Sequence, residues 1–482
     1  MAQPDTPNPA APRRRTGALL TEGPVGWLLI RLAVPMLGGT FAMTAFNLAD
    51  TYFVARLGTL PLAAMAFTFP VVMFVGSIAH GLGMGATSVV SRAIGRGDAL
   101  TARRVTTYSM VLALLVVTVF SAVGLLTMGP VFRMLGATEG TLPLVRQFMA
   151  IWYAGIAFMM LPMMANSIMR AAGDTVYPSL VMIIGSVLNC ILDPIMIFGL
   201  VGCPRMELRG AALATVLTRA LTLVLALILL HSRHGLLDFS RPSLKVVWDC
   251  WRQVLHIGIP SSATNLLVPL SSMVITRIVA GFGAPAVAAC GAGGRIEMFA
   301  FMIPMALGIS LVPVLGQNWG AGRLDRVNLC RKYSNRFALY WGVCCAAAFM
   351  ALSGPLARVF SDDPRVVDVL SLYLCIIPLG YGMREIHRYV GFSFIAIGRP
   401  MSAAAINTIR ILGFLVPGIL LGAWVLGLSG VFWGTLAADV ASTIIAVIWA
   451  HRLFATLHDP AVDGADHPLG AGRSASRPAD TT

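Results

Sequence analysis

Apolar stretches long enough to cross a bilayer follow one another along almost the whole 482-residue chain, and no other feature narrows its fold so far. In hydrocarbon the backbone N–H and C=O groups have no water to bond, so each such stretch must close its own hydrogen bonds as a helix. At about 20 residues per crossing, the runs divide into twelve spans near 27–56, 60–86, 105–131, 145–170, 177–200, 209–231, 252–281, 287–314, 334–358, 370–396, 402–426 and 430–451. The chain is 57% hydrophobic and 12% charged, with a mean hydropathy of +0.80, whereas a soluble domain carries about 25% charged residues. The expected fold class is therefore an all-α membrane protein with no room for a sizeable water-soluble unit.

A net charge of +14 would suit a nucleic-acid binder, but the placement of the basic residues argues for a membrane orientation instead. Arg92, Arg96, Arg103 and Arg104 fall between spans two and three, Arg233, Arg241 and Lys245 between six and seven, and Arg323, Arg326, Arg331 and Lys332 between eight and nine. The alternate loops hold only scattered arginines such as Arg56, Arg205 and Arg365, which puts both termini in the cytoplasm of a multi-pass inner-membrane protein. Residues 1–24, Pro-rich with Arg13-Arg14-Arg15, and 456–482 are expected to be disordered cytoplasmic tails, and 232–251 a cytoplasmic linker between lobes at 25–231 and 252–455. Eight cysteines show no CxxC spacing and no Cys/His cluster, so they read as small packing residues and no cofactor is expected.

The two halves repeat each other at a constant offset, set by the pair Pro35/Pro260. Gly58/Gly283, Gly83/Gly308, Gly95/Gly320, Gly97/Gly322, Gly129/Gly354, Pro130/Pro355, Gly155/Gly380 and Gly173/Gly398 keep that register, and after a five-residue shift Leu208, Gly210 and Thr215 match Leu428, Gly430 and Thr435. Each repeat holds six spans, an even number, so the second starts on the same side as the first. Two six-helix lobes related by a pseudo-two-fold along the membrane normal follow, with a substrate path at their interface and alternating access by rocking.

Within these spans, carboxylates are the residues most in need of a reason. Asp50 stands in Phe46-Asn47-Leu48-Ala49-Asp50-Thr51-Tyr52, and Asp193 in Leu188-Asn189-Cys190-Ile191-Leu192-Asp193-Pro194. Asn189 and Asp193 are four apart on one helix face, and Pro194 cannot bond the carbonyl of Cys190. At 1.5 Å per residue, Asp50, Asp193 and Thr215 lie ~9, ~10 and ~9 Å from the outer ends of their spans. Two carboxylates held near one another raise one pKa, so the pair can exchange a proton or be neutralised by a sodium ion, for which oxygen ligands are suited. A hydrogen-bonded cluster that only holds helices together is the competing reading.

These motifs, with Gly210-Ala211-Ala212-x-Ala214-Thr215 and the loops Gly95-Arg96-Gly97 and Gly316-Gln317-Asn318-Trp319-Gly320-Ala321-Gly322-Arg323, resemble the MATE family, the multidrug and toxic compound extrusion transporters, over about residues 25–455. The resemblance is nearest to the DinF-like branch. It implies a V-shaped cleft between two lobes and export of small organic cations, drugs or amphipathic metabolites by antiport against sodium or protons. It also implies a first-lobe ion site of Asp50, Asn189, Asp193 and Thr215. A tyrosine joins that network in some relatives, and Phe148 stands there in this chain. The NorM-like glutamate on span seven is missing from Ser261-Ser262-Ala263-Thr264-Asn265-Leu266, so no second-lobe cation site of that kind is expected.

The second lobe carries other charges at membrane depth: Arg295 and Glu297 on span eight, Arg384, Glu385, His387 and Arg388 on span ten, Arg410 on span eleven and Asp439 on span twelve. Glu297, Glu385, Arg410 and Asp439 are candidates for the substrate pathway, and mutual pairing such as Glu385 with Arg388 is the plainer alternative. The absence of a GxxxxGK[ST] loop and of any nucleophile elbow or HExxH excludes a P-loop pump and gives no sign of an enzyme. A flippase for a lipid-linked oligosaccharide is the rival transport class. The expected partners are a small-molecule substrate and the bilayer, without nucleic acid, and a cleft internal to one chain lets a monomer suffice.

Overall fold

The structure is a computed structural model that describes residues 20–238, 240 and 243–456; the rest of the two expected tails lies outside the described residues. The first lobe consists of α1 (Val25–Ala55), α2 (Thr59–Gly95), α3 (Ala99–Met134), α4 (Leu142–Ala154), α5 (Ile156–Ala171), α6 (Val176–Phe198) and α7 (Leu208–Ile228). The second consists of α8 (Leu244–Ala280), α9 (Ala284–Gly320), α10 (Leu324–Phe360), α11 (Pro364–Ile376), α12 (Tyr381–Ala396), α13 (Pro400–Thr408) and α14 (Val416–Thr456). Helix bounds reproduce the sequence repeat: α9 starts and ends in the Pro35/Pro260 register relative to α2, and α12 does the same relative to α5.

Two spans read as single runs in the sequence are broken helices. α4 and α5 form one span bent by 49°, and α11 and α12 are joined by a tight turn at Ile377–Gly380 that contains Pro378. The breaks fall at the matched glycines Gly155 and Gly380, and both glycines are there to admit a neighbour. The place a Cβ would take at Gly155 is filled by the Val216 side chain, and at Gly380 it would come within 3.2 Å of Asp439 Oδ2.

Spans eleven and twelve are the helical run Pro400–Thr456, 57 residues long and so about 85 Å, far beyond a ~30 Å hydrocarbon core. Gly427 breaks it with φ 64° and ψ −141°, a left-handed conformation that glycine adopts at little cost. The two arms fold together along small residues, with Gly422 against the Gly430 carbonyl and Gly434 against the Gly418 carbonyl. Counted this way the chain makes twelve crossings. A Gly430→Val substitution forces the arms apart; overpacking of this kind costs typically about 1–3 kcal/mol, to be read as a lowered thermal midpoint of the purified protein.

The lobes are joined at the end that carries the chain termini. There α2 lies against α8, with Gly81 beside Gly258 and Ser262 and Gly85 beside the Val254 carbonyl. Nearer the loops Gly95 meets the Gln317 carbonyl and Gly320 the Arg92 carbonyl, and Ser88 Oγ donates to the Ile395 carbonyl at 2.6 Å. One buried apolar cluster unites both lobes here, including Val89, Val90 and Ile94 with Leu311, Val314 and Leu315. Toward the opposite end the core divides, and clusters around Val279, Tyr381 and Phe432, and around Leu370 and Leu374, belong to the second lobe alone. The cleft is thus sealed at the terminal end and widens away from it.

Residues 20–23, expected to belong to a disordered tail, instead strap this seal. Leu20 N donates to Gln317 Oε1 at 2.9 Å, and its carbonyl accepts from Asn318 Nδ2 at 3.1 Å. Arg323 donates to the Thr21 carbonyl at 3.2 Å and Arg326 to the Gly23 carbonyl at 2.8 Å. Gln317 and Asn318 are 0% exposed, and Gln317 Nε2 also donates to the Ala171 carbonyl at 2.8 Å. The order comes from these partners in the second lobe, which composition does not reveal.

The expected linker is corrected as well, because α8 begins at Leu244 and takes up part of 232–251. The linker is fastened to α3 by Asp238 N donating to Thr107 Oγ1 at 2.8 Å and by Arg104 at 3.7 Å from the Asp238 carboxylate. Hydrogen bonding from Ser240, with Arg104 and Arg103 nearby, holds that carboxyl below the ordinary carboxylate range.

Gln317→Ala removes two buried hydrogen bonds and leaves their partners unsatisfied, at a cost of about 1–3 kcal/mol each. Amide hydrogen exchange is expected to quicken at residues 88–97 and 20–23 while residues 284–300, away from the seal, stay unchanged.

Candidate functional site

Small residues bring the three helices of the first-lobe site together. Gly39 of α1 lies against the Ser179 backbone of α6, Gly185 of α6 against Thr222 of α7, and Gly210 of α7 against the Met196 carbonyl of α6. Asn189 and Asp193 on α6 and Thr215 on α7 thereby meet, with Asp50 on α1 nearby. With the Asn189 amide oriented to satisfy its neighbours, its nitrogen donates to Asp193 Oδ2 at 3.0 Å and its oxygen accepts from Thr215 N at 3.2 Å. The Thr215 hydroxyl donates to the Ala211 carbonyl at 3.0 Å.

Asp193 is 0% exposed, and Asp50 lies within electrostatic reach of it. One oxygen of each carboxylate, Asp50 Oδ1 and Asp193 Oδ1, is buried without a hydrogen-bond partner. An acceptor left so costs about 1–3 kcal/mol or more, and a proton or a hard cation is what satisfies it. Among the described residues no cluster of three His, Cys, Asp or Glu side chains has the makings of a metal site. The oxygen set here, two carboxylates and an amide, suits a proton or a weakly held alkali ion better than a tightly bound divalent metal. Phe148 on α4 is buried and brings no hydroxyl.

In the second lobe, three of the four pathway candidates join one ion-pair network. Asp439 on α14, 1% exposed, accepts from Arg384 Nε at 3.0 Å on one oxygen and from Arg410 Nη2 at 2.7 Å and Nε at 3.1 Å on the other. Glu297 lies 3.4 Å from Arg384 Nη1. The Arg384 guanidinium also lies 5.5 Å from the Phe301 ring centre and 5.8 Å from that of Tyr381, where ring faces favour a cation. Arg410 belongs to a wide π-helical turn, Ile409–Leu415, a break in regular winding often found at functional sites. Glu385 stands apart and pairs with Arg388; His387 is buried on the side of Arg410 and Asp439.

Sequence reasoning passed over two arginines of the first lobe. Arg170 Nη2 donates to Ser167 Oγ at 2.7 Å, and Arg219 on α7 lies over the Phe46 ring at 5.9 Å. A guanidinium four residues after Thr215 in an apolar run was the available signal. In the repeat register that pairs Thr215 with Thr435, Arg219 corresponds to Asp439, so one position carries opposite charges in the two lobes.

Two six-helix repeats around a cleft sealed at one end, with charged groups held inside each lobe, define a membrane transporter rather than an enzyme. The chain belongs to the MatE family, whose sequence profile matches residues 35–195 and 260–420, two blocks in the same register as the internal repeat. It is 35% identical over 434 residues to a protein of Shewanella oneidensis named as an FAD transporter, covering 90% of this chain and 96% of that one. It is 24% identical over 431 residues to the probable multidrug resistance protein NorM of Thermotoga maritima, covering 87% and 91%. Among solved structures, the Vibrio cholerae MATE transporter VcmN in its bent form superposes with a TM-score of 0.86 at 30% identity, covering 90% of this chain and 97% of that one.

Removing the Asp439 charge leaves two guanidinium groups without it. Asp439→Asn is expected to lower stability by about 3–5 kcal/mol, as for other broken buried pairs, and Asp439→Asn/Arg410→Gln to regain part of that loss in thermal unfolding of purified protein.

Proposed function

We propose that the protein is a secondary active antiporter that exports a small amphipathic compound in exchange for sodium or protons bound in the first lobe. The observation that carries this reading is the meeting of Asp50 and Asp193 from two helices, each with a buried carboxylate oxygen lacking a donor. Neutralising them with an incoming ion relieves a cost that no other contact at the site relieves, and that relief links ion entry to the state of the lobe. Asn189 holds Asp193, and the Thr215 backbone holds Asn189. The same set of residues favours the DinF-like branch.

The arginine-rich loops at the terminal end favour termini in the cytoplasm of an inner-membrane protein. The structure then corresponds to the state with its cleft open to the outside. The substrate reading leans toward an amphipathic metabolite of flavin type, because identity to the FAD transporter, 35%, exceeds the 24% to the multidrug protein. The cleft lies within one chain, so a monomer is sufficient.

The test is efflux from proteoliposomes of the purified protein, with sodium and pH gradients imposed separately. Asp50→Asn and Asp193→Asn should each fold, by unchanged thermal unfolding or better, and lose gradient-driven efflux. The gradient that drives the wild type names the ion; unimpaired efflux by Asp50→Asn would remove Asp50 from the coupling site.

A further inference from the structure

Charges at membrane depth are matched unevenly in the two lobes. Arg384, Arg388 and Arg410 of the second lobe each meet a carboxylate. Among the described residues, Arg219 of the first lobe and Arg295 of α9 have no carboxylate at ion-pair distance. Both stand equally far along the chain from the outer ends of their helices, Leu208 and Ala284, a depth of ~16 Å for regular helical rise. They are therefore at one level, one in each lobe, and Arg219 is too deep to reach either interface by extending its side chain.

An unanswered guanidinium at that depth costs several kcal/mol. Phe46 steadies the Arg219 guanidinium through its ring face at 5.9 Å but does not neutralise it. Asp50 lies one helical turn outward of Phe46 on α1, and Asp193 one turn outward of Asn189, which meets Thr215; in the proposed cycle their charge is cancelled by the coupling ion. Arg219 keeps partial exposure, unlike its neighbours Thr218 and Thr222, and Arg295 is exposed. On the face of α9 that carries Arg295, Met298 and Met305 are exposed and Met302 partly so, which supplies adaptable apolar surface beside the cation.

We propose that Arg219, with Arg295 at the matching depth of the second lobe, receives the anionic group of the exported compound, a phosphate or carboxylate attached to an apolar or aromatic body. The planar guanidinium fork matches such groups in bidentate fashion. This rests on the export reading and names the charge of its substrate: the cargo carries negative charge and is distinct from an organic cation.

The experiment is binding to the purified full-length protein of two probes that share one ring system, FAD with its two phosphates and riboflavin with none. Wild type is expected to bind FAD at least about tenfold more tightly, the worth of one charge-assisted contact. Arg219→Gln should erase that preference and leave riboflavin binding unchanged, Arg219→Lys should keep part of it, and Arg295→Gln should reduce it. Should Arg219→Gln fail to fold, Arg219→Lys and Arg295→Gln carry the test. Equal binding of the two probes by wild type, or a preference that survives in Arg219→Gln, overturns the proposal. So does a variant whose efflux shifts only in pH dependence, since Arg219 would then be the counter-ion of the acid pair. Asp50→Asn should keep the FAD preference, so loss of the coupling reading shows in driven efflux and loss of this one in binding.

Discussion

One carboxylate, Asp439, holds two guanidinium groups and through them ties α12, the π-helical turn and α14 into the middle of the second lobe. Away from water such charges are stable only while each is answered, and that requirement shapes the whole interior of the molecule. A side chain at Gly380 would crowd Asp439, and Glu297 reaches over from α9 to Arg384. In the first lobe the same requirement is left open at Asp50 and Asp193, each with a buried oxygen that lacks a partner, and at Arg219, which has no carboxylate at ion-pair distance. In the second lobe Arg384, Arg388 and Arg410 are each answered by a carboxylate, and Arg295 is not.

The repeat makes that difference more informative. A duplicated six-helix unit supplies equal backbone frames, with breaks at Gly155 and Gly380 and kindred helix bounds. On these frames the side chains have diverged until Arg219 faces Phe46 where Asp439 gathers arginines. A transporter that rocks two similar bodies needs their frames to match at the seal, while their interiors are free to specialise.

Much of the fold was legible because hydrocarbon leaves a chain so few choices. Twelve crossings and the register of the two halves followed from apolar length and from glycine and proline spacing, depth along each span put Asp50, Asp193 and Thr215 at one level, and the grouping of these three with Asn189 came from the family resemblance. The bend between α4 and α5 was hidden, because it depends on Val216 filling the space beside Gly155, a contact between segments far apart in sequence. Order at residues 20–23 was hidden for the same reason, since Gln317, Asn318, Arg323 and Arg326 supply the partners. Arg219 escaped attention because a mean taken over a whole apolar span barely registers one guanidinium, whose meaning lies in its missing partner.

The strap at Leu20–Gly23 also bears on how the molecule is assembled. Leu20 and Gln317 are 297 residues apart, so the first lobe is complete and inserted long before the groups that fasten its leading segment have been synthesised. Until α9 arrives, the inner faces of α2 and α5 that later press on the second lobe have nothing to cover them, and Ala171 keeps an unclaimed carbonyl. The growing chain therefore passes through a stage in which its first half is a finished bundle with an open, sticky flank. Seating of these early residues waits for partners made 297 or more residues later, and a first lobe made alone would carry that flank exposed.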